Sequence, residues 1–386
     1  MAFKKQSEVV VVGAGPVGLL TTISLKAAGV DVRIFDAGGR TADHSYALVL
    51  HPSSVDLLDR VGLGAACIDA GRVASGLTVY EGTVAREHFD FSKLPGPYPF
   101  AVVLPQSRLE SILEAELEKR GLEVEWDHRV QGLEPSADKV QLSVARLDKV
   151  STGYPVAHTE VVVDKLYDMS AKYVVAADGY DSFVRRRLGI AFGAEGQGQI
   201  YSVFQFATGG EVPPEGRLML EAQRVGAYWA LPDGRCRFSF PLAAAEEHNT
   251  DPAHLKTLLA SRAPWFKGTV GNIEWTALGM FEHKVAAKFG EGRIWMAGDA
   301  AHLTGPLGAQ SMNIGLREGA DLAERIVRVL RGAAEVDLLV EYGASRLAEW
   351  RTLIGAQPGS GSRRSLLLPC IPASGDDLRA LLAQLN

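Results

Sequence analysis

The apolar pattern near the N-terminus predicts a strand, a helix and a second strand in quick succession. Residues 9–12 are a run of valines, which is typical of a strand buried on both faces. Residues 16–28 carry apolar side chains at helical spacing and stop at Gly29, a residue that commonly ends a helix. Residues 30–36 predict the second strand. This βαβ order indicates a parallel sheet with a crossover helix.

Further helical and strand patterns follow along the first half of the chain. Residues 51–63 predict a helix capped by Ser53 or Ser54, and residues 105–121 predict an amphipathic helix that ends at Gly121. Strands are predicted at 122–130 and within the apolar run 171–179, with alternating, strand-like sequence between them.

After residue 190 the chain changes to short alternating segments. The strands predicted there are 201–207, 218–222, 226–231, 235–240 and 272–285, with a hairpin turn at 232–234. The helices predicted in this half are 251–263 and 314–330, and a final short helix follows a loop at 355–365.

These elements predict an α/β (α+β) fold in which a mostly antiparallel sheet domain is inserted into a Rossmann-like domain. The Rossmann-like domain is assigned to 1–73, 101–180 and 281–354. The inserted sheet domain is assigned to 74–100 and 181–280, and residues 355–386 form a C-terminal loop and helix.

Composition limits the kinds of partner, metal site and cellular location that we expect for this protein. The formal charge of −6 argues against a nucleic-acid-binding surface, and the basic run 185–187 reads as a solvated helix face, with phosphate contact as the alternative. Three widely spaced cysteines give neither a disulfide framework nor a metal site. Glycines interrupt the apolar N-terminal stretch, so neither a signal peptide nor a membrane span is expected. We expect a cytoplasmic monomer or homodimer without a metal.

A glycine-rich turn joins the first strand to the first helix. Its G-x-G-x-x-G spacing permits a tight turn, close approach of a pyrophosphate and close packing of helix on strand, while the helix start offers free N–H groups. An aspartate at the end of the second strand is placed to accept a hydrogen bond from a ribose hydroxyl. The residues expected to contact a dinucleotide here are Gly13, Gly15, Pro16, Val17, Gly18 and Asp36.

Two later motifs carry a family resemblance. The sequence AADGYDSFVRRRLGI contains a D-G-x-x-S-x-V-R motif, and GRIWMAGDAAHLTGPLGAQSMNIGLREGADLA contains G-D-A-A-H followed by P-x-G and N-x-G. With the N-terminal turn, they resemble the single-component FAD-dependent aromatic hydroxylases of the p-hydroxybenzoate hydroxylase type, over essentially the whole chain. The resemblance implies an FAD-binding domain and an inserted substrate-binding domain.

The resemblance also implies roles for individual residues. Asp299 would bind the ribityl chain, Asn313 would lie near the pyrimidine edge, and Asp178 with Gly179 would contact the FAD diphosphate and the visiting nicotinamide. Gln106 and Arg108 would contact the ribityl or pyrophosphate part of FAD, although Arg108 can also be interpreted as a surface charge in the first turn of its helix. His302 is taken as structural. The further cofactor-binding residues implied are Gly298, Pro306, Gly308 and Ala309.

A helix starts directly after Pro306, Leu307 and Gly308, so its first N–H groups would stabilise negative charge on flavin N1 and O2. The sequence departs from the family at Ala309 and Ser311, where glycines are common. This puts in question how closely the flavin or substrate approaches the turn. A second strand–G-x-G-x-x-G–helix unit does not occur in the sequence, so NADH or NADPH would be a transient co-substrate.

The activity that the resemblance implies is hydroxylation of a small aromatic or polycyclic substrate with NAD(P)H and O2, through a C4a-hydroperoxyflavin. A halogenase, an FAD-dependent double-bond reductase and a non-catalytic flavin-binding protein are the alternatives. We assign no certain catalytic side chain, because the flavin is the reagent.

The inserted sheet is expected to supply the substrate pocket. Two-residue alternation places Tyr201, Val203 and Gln205 on one strand face, and it points Tyr228 and Trp229 in opposite directions. The substrate-pocket residues assigned are Tyr201, Val203, Gln205, Tyr228 and Pro306.

Overall fold

The chain forms a mixed α/β structure built on three sheets. The computed structural model describes residues 3–41, 47–152, 158–221, 224–243, 249–305, 307–355 and 366–385. Its strands are β1 (Gln6–Val12), β2 (Val32–Phe35), β3 (Val49–Leu50), β4 (Arg72–Ala74), β5 (Gly76–Glu81), β6 (Val84–Asp90), β7 (Ala101–Val103), β8 (His128–Pro135), β9 (Val140–Thr152), β10 (His158–Ala176), β11 (Phe192–Ala207), β12 (Gly216–Glu221), β13 (Arg224–Leu231), β14 (Arg235–Pro241), β15 (Ile273–Ala286), β16 (Gly290–Glu291), β17 (Ile294–Met296) and β18 (His302–Leu303).

The helices mostly flank these sheets. They are α1 (Pro16–Ala27), α2 (Pro52–Arg60), α3 (Gly64–Ala70), α4 (Gln106–Lys119), α5 (Phe183–Arg187), α6 (Pro252–Arg262), α7 (Gln310–Leu330), α8 (Asp337–Gly355) and α9 (Gly375–Leu382). Short 3₁₀ turns occur at Phe91–Lys93, Gly298–Ala300 and Leu368–Cys370. No helix in the described part of the chain is long and apolar enough to cross a membrane.

The first sheet has the parallel core that the sequence predicts. Its order is β16-β17-β10-β1-β2, and β1 pairs in parallel with both β10 and β2. The valines of β1 at 9–12 are buried in the core, with α1 packed on the sheet and α4 packed on α1. The antiparallel strands β8 and β9 extend from β10. The fold class predicted from the sequence is confirmed.

The second sheet has eight strands in the order β18-β15-β11-β14-β13-β12-β5-β6. Its neighbours are antiparallel except for β12 and β5. One face shares a core with the first sheet, and the other packs on α6. β15 continues to Ala286 and pairs with β18, so this sheet runs past residue 280, where the sequence placed the boundary between the domains. The domain division itself stays a proposal.

Several predicted element boundaries were wrong, and the strand predicted from residue 201 begins at Phe192. The strand predicted from residue 122 begins at His128, because Asp127 adopts a left-handed backbone with φ 55° that breaks the extended run. Helix α2 is capped by His51, since Pro52 occupies the first helical position and neither predicted serine cap precedes it. Helix α7 begins at Gln310, ahead of the predicted start at residue 314.

The C-terminal segment, residues 366–385, contains the predicted final helix as α9. The loop predicted at 355–365 lies outside the described residues, apart from residue 355 at the end of α8.

Candidate cofactor and substrate site

The three glycines of the N-terminal turn serve different purposes. A Cβ on Gly13, where φ is +100°, would lie 2.2 Å from the Ala177 carbonyl oxygen, and one on Gly18 would lie 1.9 Å from the Gly13 carbonyl oxygen. A Cβ on Gly15 would meet nothing within 4 Å. The outer glycines therefore permit close packing, while the middle one leaves open space before the start of α1. This arrangement fits the diphosphate of a dinucleotide.

Asp36 lies against this turn. Its Oδ2 accepts a hydrogen bond from the Ala14 N–H at 2.7 Å, and its Oδ1 accepts one from the Gly38 N–H at 2.7 Å. Each carboxylate oxygen has capacity for a further bond, so the side chain shapes the turn and can still accept from a ribose hydroxyl. The ribose contact remains a proposal.

A cavity of about 520 Å³ lies between the first sheet and the end of β15. Gln106, Asp299 and Ala309 line it from the predicted FAD-binding domain, and Phe281 and Lys284 line it from the eight-stranded sheet. A cleft that receives side chains from two packed layers is a common place for a cofactor and its substrate to meet.

Asp299 offers an unused acceptor to this cavity. No group among the described residues hydrogen-bonds its carboxylate. Burial raises the pKa of Asp299, the nearby His302 opposes this shift, and Glu318 adds to it. A hydrogen bond from a hydroxyl group would stabilise such a carboxylate. The polyol chain of a cofactor carries hydroxyl groups of this kind.

The turn that carries Asp299 is fixed from behind by a buried cluster. Glu318 of α7 accepts hydrogen bonds from the Gly298 N–H and the Trp350 indole N–H, and it contacts His302 Nε2 at 2.7 Å. Burial alone would raise the pKa of Glu318, but these partners hold it below its usual value. The His302 ring stacks on Trp350 with centroids 3.8 Å apart. This geometry gives His302 the structural role expected for it.

Helix α7 begins at the cavity with a strained residue. Ala309, its N-terminal cap, has φ +49° and ψ 33°, the left-handed region that favours glycine. Gly308 has no room for a side chain, since a Cβ would lie 2.3 Å from the Pro369 carbonyl oxygen. Ala309, Ser311 and Met312 line the cavity, so the N–H groups of this first turn, which lack intrahelical partners within the described residues, are at its wall. Pro306 lies outside the described residues.

The Asn313 side chain is held within the protein, and its expected position near the pyrimidine edge of the flavin stays a prediction. The side chain is fully buried, and its amide donates to the carbonyl oxygens of Val49 and Ala309, both at 2.8 Å. Its Oδ1 accepts from the His51 N–H at 2.8 Å. Because both amide hydrogens are used within the protein, the donors that this turn can offer to a ligand are its backbone N–H groups.

In the D-G-x-x-S-x-V-R motif, the expected FAD and nicotinamide contacts of Asp178 stay proposals, whereas Arg185 differs from its predicted exposure. Asp178 accepts from the Ser182 hydroxyl at 2.6 Å and the Val184 N–H at 3.1 Å, so it fixes the start of α5. Burial raises its pKa, which these hydrogen bonds oppose. Arg185 is buried and donates to the carbonyl oxygens of Ala300 and Tyr180, over the ring of Phe192. It is therefore not part of a solvated face; it joins the two motifs.

Gln106 and Arg108 open α4 but face different surroundings. Gln106 lines the cavity and donates to Glu110 at 2.7 Å. The exposed guanidinium of Arg108 lies 3.5 Å from the Asp233 carboxylate in the turn between β13 and β14. Its cofactor contact therefore stays a proposal, and its observed contact links α4 to the eight-stranded sheet.

The assigned substrate-pocket residues do not share one face. Tyr201 and Val203 belong to the core next to the first sheet, and Tyr201 makes an edge contact with Phe281 of the cavity wall. Gln205 is on the same strand face and bonds Arg237 at 2.7 Å. Tyr228 is fully buried on the opposite face against Trp265. Its assignment was wrong, because register places Trp229 on the inner face instead.

Comparison with known proteins agrees with this geometry. The sequence profile of the FAD binding domain family matches residues 6–355. The 6-methylpretetramide 4-monooxygenase of Streptomyces rimosus is 27% identical over 353 residues, which cover 88% of this chain and 59% of that protein. The pentachlorophenol 4-monooxygenase of Sphingobium chlorophenolicum is 27% identical over 348 residues, covering 88% of this chain and 61% of that protein.

The fold is also found in solved structures. The p-nitrophenol 4-monooxygenase PnpA from Pseudomonas putida DLL-E4 superposes with a TM-score of 0.76 at 21% identity, covering 99% of this chain and 94% of that one. At that identity the likeness shows the fold alone. The chain spans about three fifths of the length of the two curated relatives named above.

Proposed function

We propose that this chain, which belongs to the FAD binding domain family, is a monooxygenase that hydroxylates an aromatic or polycyclic small molecule with NAD(P)H and O2. The observation that carries the proposal is the cavity in which Asp299 and the start of α7 face Phe281 of the eight-stranded sheet. The names of the relatives, which include chlorophenol and tetracycline-type monooxygenases, support it.

When bound, FAD supplies the redox chemistry, by accepting a hydride from NAD(P)H and activating O2. The residues would divide its binding among them. The open side of Gly15 receives the diphosphate, Asp36 accepts from the adenosine ribose, and Asp299 accepts from the ribityl chain. The backbone N–H groups around Ala309 and Ser311 would stabilise negative charge on an electron-rich edge of the ring, as the start of a helix does.

The remaining residues of the cavity bind and orient substrate. Phe281, supported by Tyr201, offers an aromatic wall to a planar molecule. Tyr180 is 69% exposed at the cavity and follows the Asp178–Gly179 pair, where we place the visiting nicotinamide. The three cysteines, all unpaired and buried, support a cytoplasmic location.

The test is a screen of phenols and polycyclic aromatics with purified, FAD-loaded protein. We expect one compound to stimulate NAD(P)H oxidation sharply and to acquire one oxygen atom from isotopically labelled O2. A product that lacks the label, formed equally well under nitrogen, would make the protein a reductase and refute hydroxylation. A protein that never binds FAD would refute the entire proposal.

A further inference from the structure

The turn formed by Gly308 and Ala309, here called the 308–309 turn, is strained where it meets the cavity. Ala309 is left-handed although it has a Cβ, and it lines the cavity wall. Strained backbone persists only where surrounding contacts over-determine it. The contacts that fix this turn therefore decide the direction of its N–H groups.

Both carbonyl groups of the turn are hydrogen-bonded by fully buried side chains that do not line the cavity. The Gly308 oxygen lies 2.7 Å from His51 Nε2, and the Ala309 oxygen accepts from the Asn313 side chain at 2.8 Å. Asn313 is in turn fixed by the backbone N–H of His51. His51 thus contacts this turn both directly and through Asn313.

The protonation of the His51 ring follows from its partners. A carbonyl oxygen only accepts hydrogen bonds, so Nε2 carries the hydrogen and Nδ1 is the acceptor, with the Ser374 hydroxyl 3.5 Å away. The ring is fully buried, and burial lowers the pKa of His51 to about 3. The ring is therefore a neutral, fixed donor at physiological pH.

We propose that His51 is a positioning residue for the flavin site: its Nε2–H holds the Gly308 carbonyl, which directs the Ala309 N–H into the cavity. In a planar trans peptide the carbonyl and the following N–H point in opposite directions, so fixing one fixes the other. A donor on the carbonyl also polarises the N–H on the far side. The target is the acceptor edge of the flavin pyrimidine ring, and the inference rests on the flavin site proposed above.

Two substitutions separate this role from simple packing. His51→Leu removes the donor, whereas His51→Gln keeps an amide N–H at the same number of bonds from the backbone. We expect His51→Leu to weaken FAD binding to the apoprotein by about tenfold, the effect of one lost hydrogen bond. His51→Gln should remain within about threefold of wild type.

The flavin midpoint potential gives a second measurement that a purely structural role would not change. If reduced flavin loses tenfold more affinity than oxidised flavin in His51→Leu, the potential falls by about 30 mV. Ser374→Ala is the matched control, because it leaves the bond between His51 Nε2 and the Gly308 carbonyl in place and removes only the long hydroxyl contacts with His51 Nδ1 at 3.5 Å and Ser53 at 3.4 Å. It should leave both the FAD affinity and the potential near the wild-type values.

The outcomes distinguish this inference from the proposed site. If Asp299→Ala loses FAD while His51→Leu keeps wild-type affinity and potential, His51 has no positioning role and the flavin site stands. If Asp299→Ala binds FAD as wild type does, the ribityl chain lies elsewhere and the flavin site as proposed is wrong, whatever the His51 variants show. If His51→Gln is as impaired as His51→Leu while both apoproteins unfold at the wild-type temperature, donation from Nε2 is not the cause, and the inference is overturned.

Discussion

At the residue scale, some side chains of the candidate site already make hydrogen bonds within the protein, and others are available to bind a ligand. Asp36, Asp178 and Asn313 all have hydrogen-bond partners in the chain, whereas the Asp299 carboxylate has none among the described residues. Side chains with partners shape the turns. A ligand hydroxyl gains most binding free energy at an acceptor without a partner, because folding has already removed water from that acceptor.

Asp299→Ala should therefore reduce FAD affinity by about 10- to 100-fold, the effect of a hydrogen bond to a charged acceptor. The measurement is fluorescence titration of the apoprotein with FAD. Asp164→Ala, on the exposed edge of β10, is the control and should bind FAD as wild type does. Equal affinity in both variants would place the ribityl chain elsewhere.

Acid stability should report the buried state of His51. Its pKa in the folded protein is lowered from 6.5 to about 3, so the unfolded chain takes up a proton first as the pH falls. The contribution to stability is complete above about pH 6.5 and is lost progressively on acidification toward pH 3. Within this window His51→Gln should lower the pH slope of the unfolding free energy by up to about 1.4 kcal/mol per pH unit. Urea titrations at several pH values test this, and identical slopes for both proteins would contradict it.

At the element scale, α7 and α8 fix the turn that carries Asp299. One carboxylate, Glu318, joins the 3₁₀ turn through the Gly298 N–H, β18 through His302, and α8 through Trp350. All three side chains are fully buried. The cluster therefore depends on one acceptor that has no access to water.

Glu318→Leu should reduce the unfolding free energy by about 3–5 kcal/mol, because it leaves buried polar groups without their acceptor. Glu318→Gln keeps an amide oxygen and should lose about 1–2 kcal/mol. Glu324→Leu, on the exposed face of the same helix, is the matched control and should change stability by less than about 0.5 kcal/mol. Chemical denaturation measures all three, and a Glu318→Leu variant as stable as its control would show that the cluster is dispensable.

Sequence patterns predicted some of these elements and contacts but not others. The strand at residues 9–12 and helix α1 were predictable, because their signals are local in the chain. The burial of Arg185 was not, because its partner Ala300 is 115 residues away. Alternation within β13 separated Tyr228 from Trp229, but only pairing with β14 decides which faces inward. The link from His51 to the 308–309 turn likewise depends on contacts that no spacing reveals.

At the scale of the whole molecule, the C-terminal segment joins regions that are far apart in sequence. Gln310 at the start of α7 donates to the carbonyl oxygens of Ile371 and Ala373. Farther along, the Gln384 amide exchanges two hydrogen bonds with the backbone of Asp90, at the end of β6. The segment thus contacts both the helix at the cavity and the edge strand of the eight-stranded sheet.

Removal of this segment should therefore affect the entire fold. The apolar side chains that a chain ending at residue 365 would lose from the core include Leu367, Ile371, Leu378, Leu381 and Leu382. Their burial contributes on the order of 10 kcal/mol, which is comparable to the total stability of a typical domain. The truncated chain should lose cooperative thermal unfolding and FAD binding together, as measured by circular dichroism and flavin fluorescence. Gln384→Ala, which removes only the contact with Asp90, should retain both. A truncated chain that unfolds at the wild-type temperature and binds FAD normally would show that the segment only covers the surface.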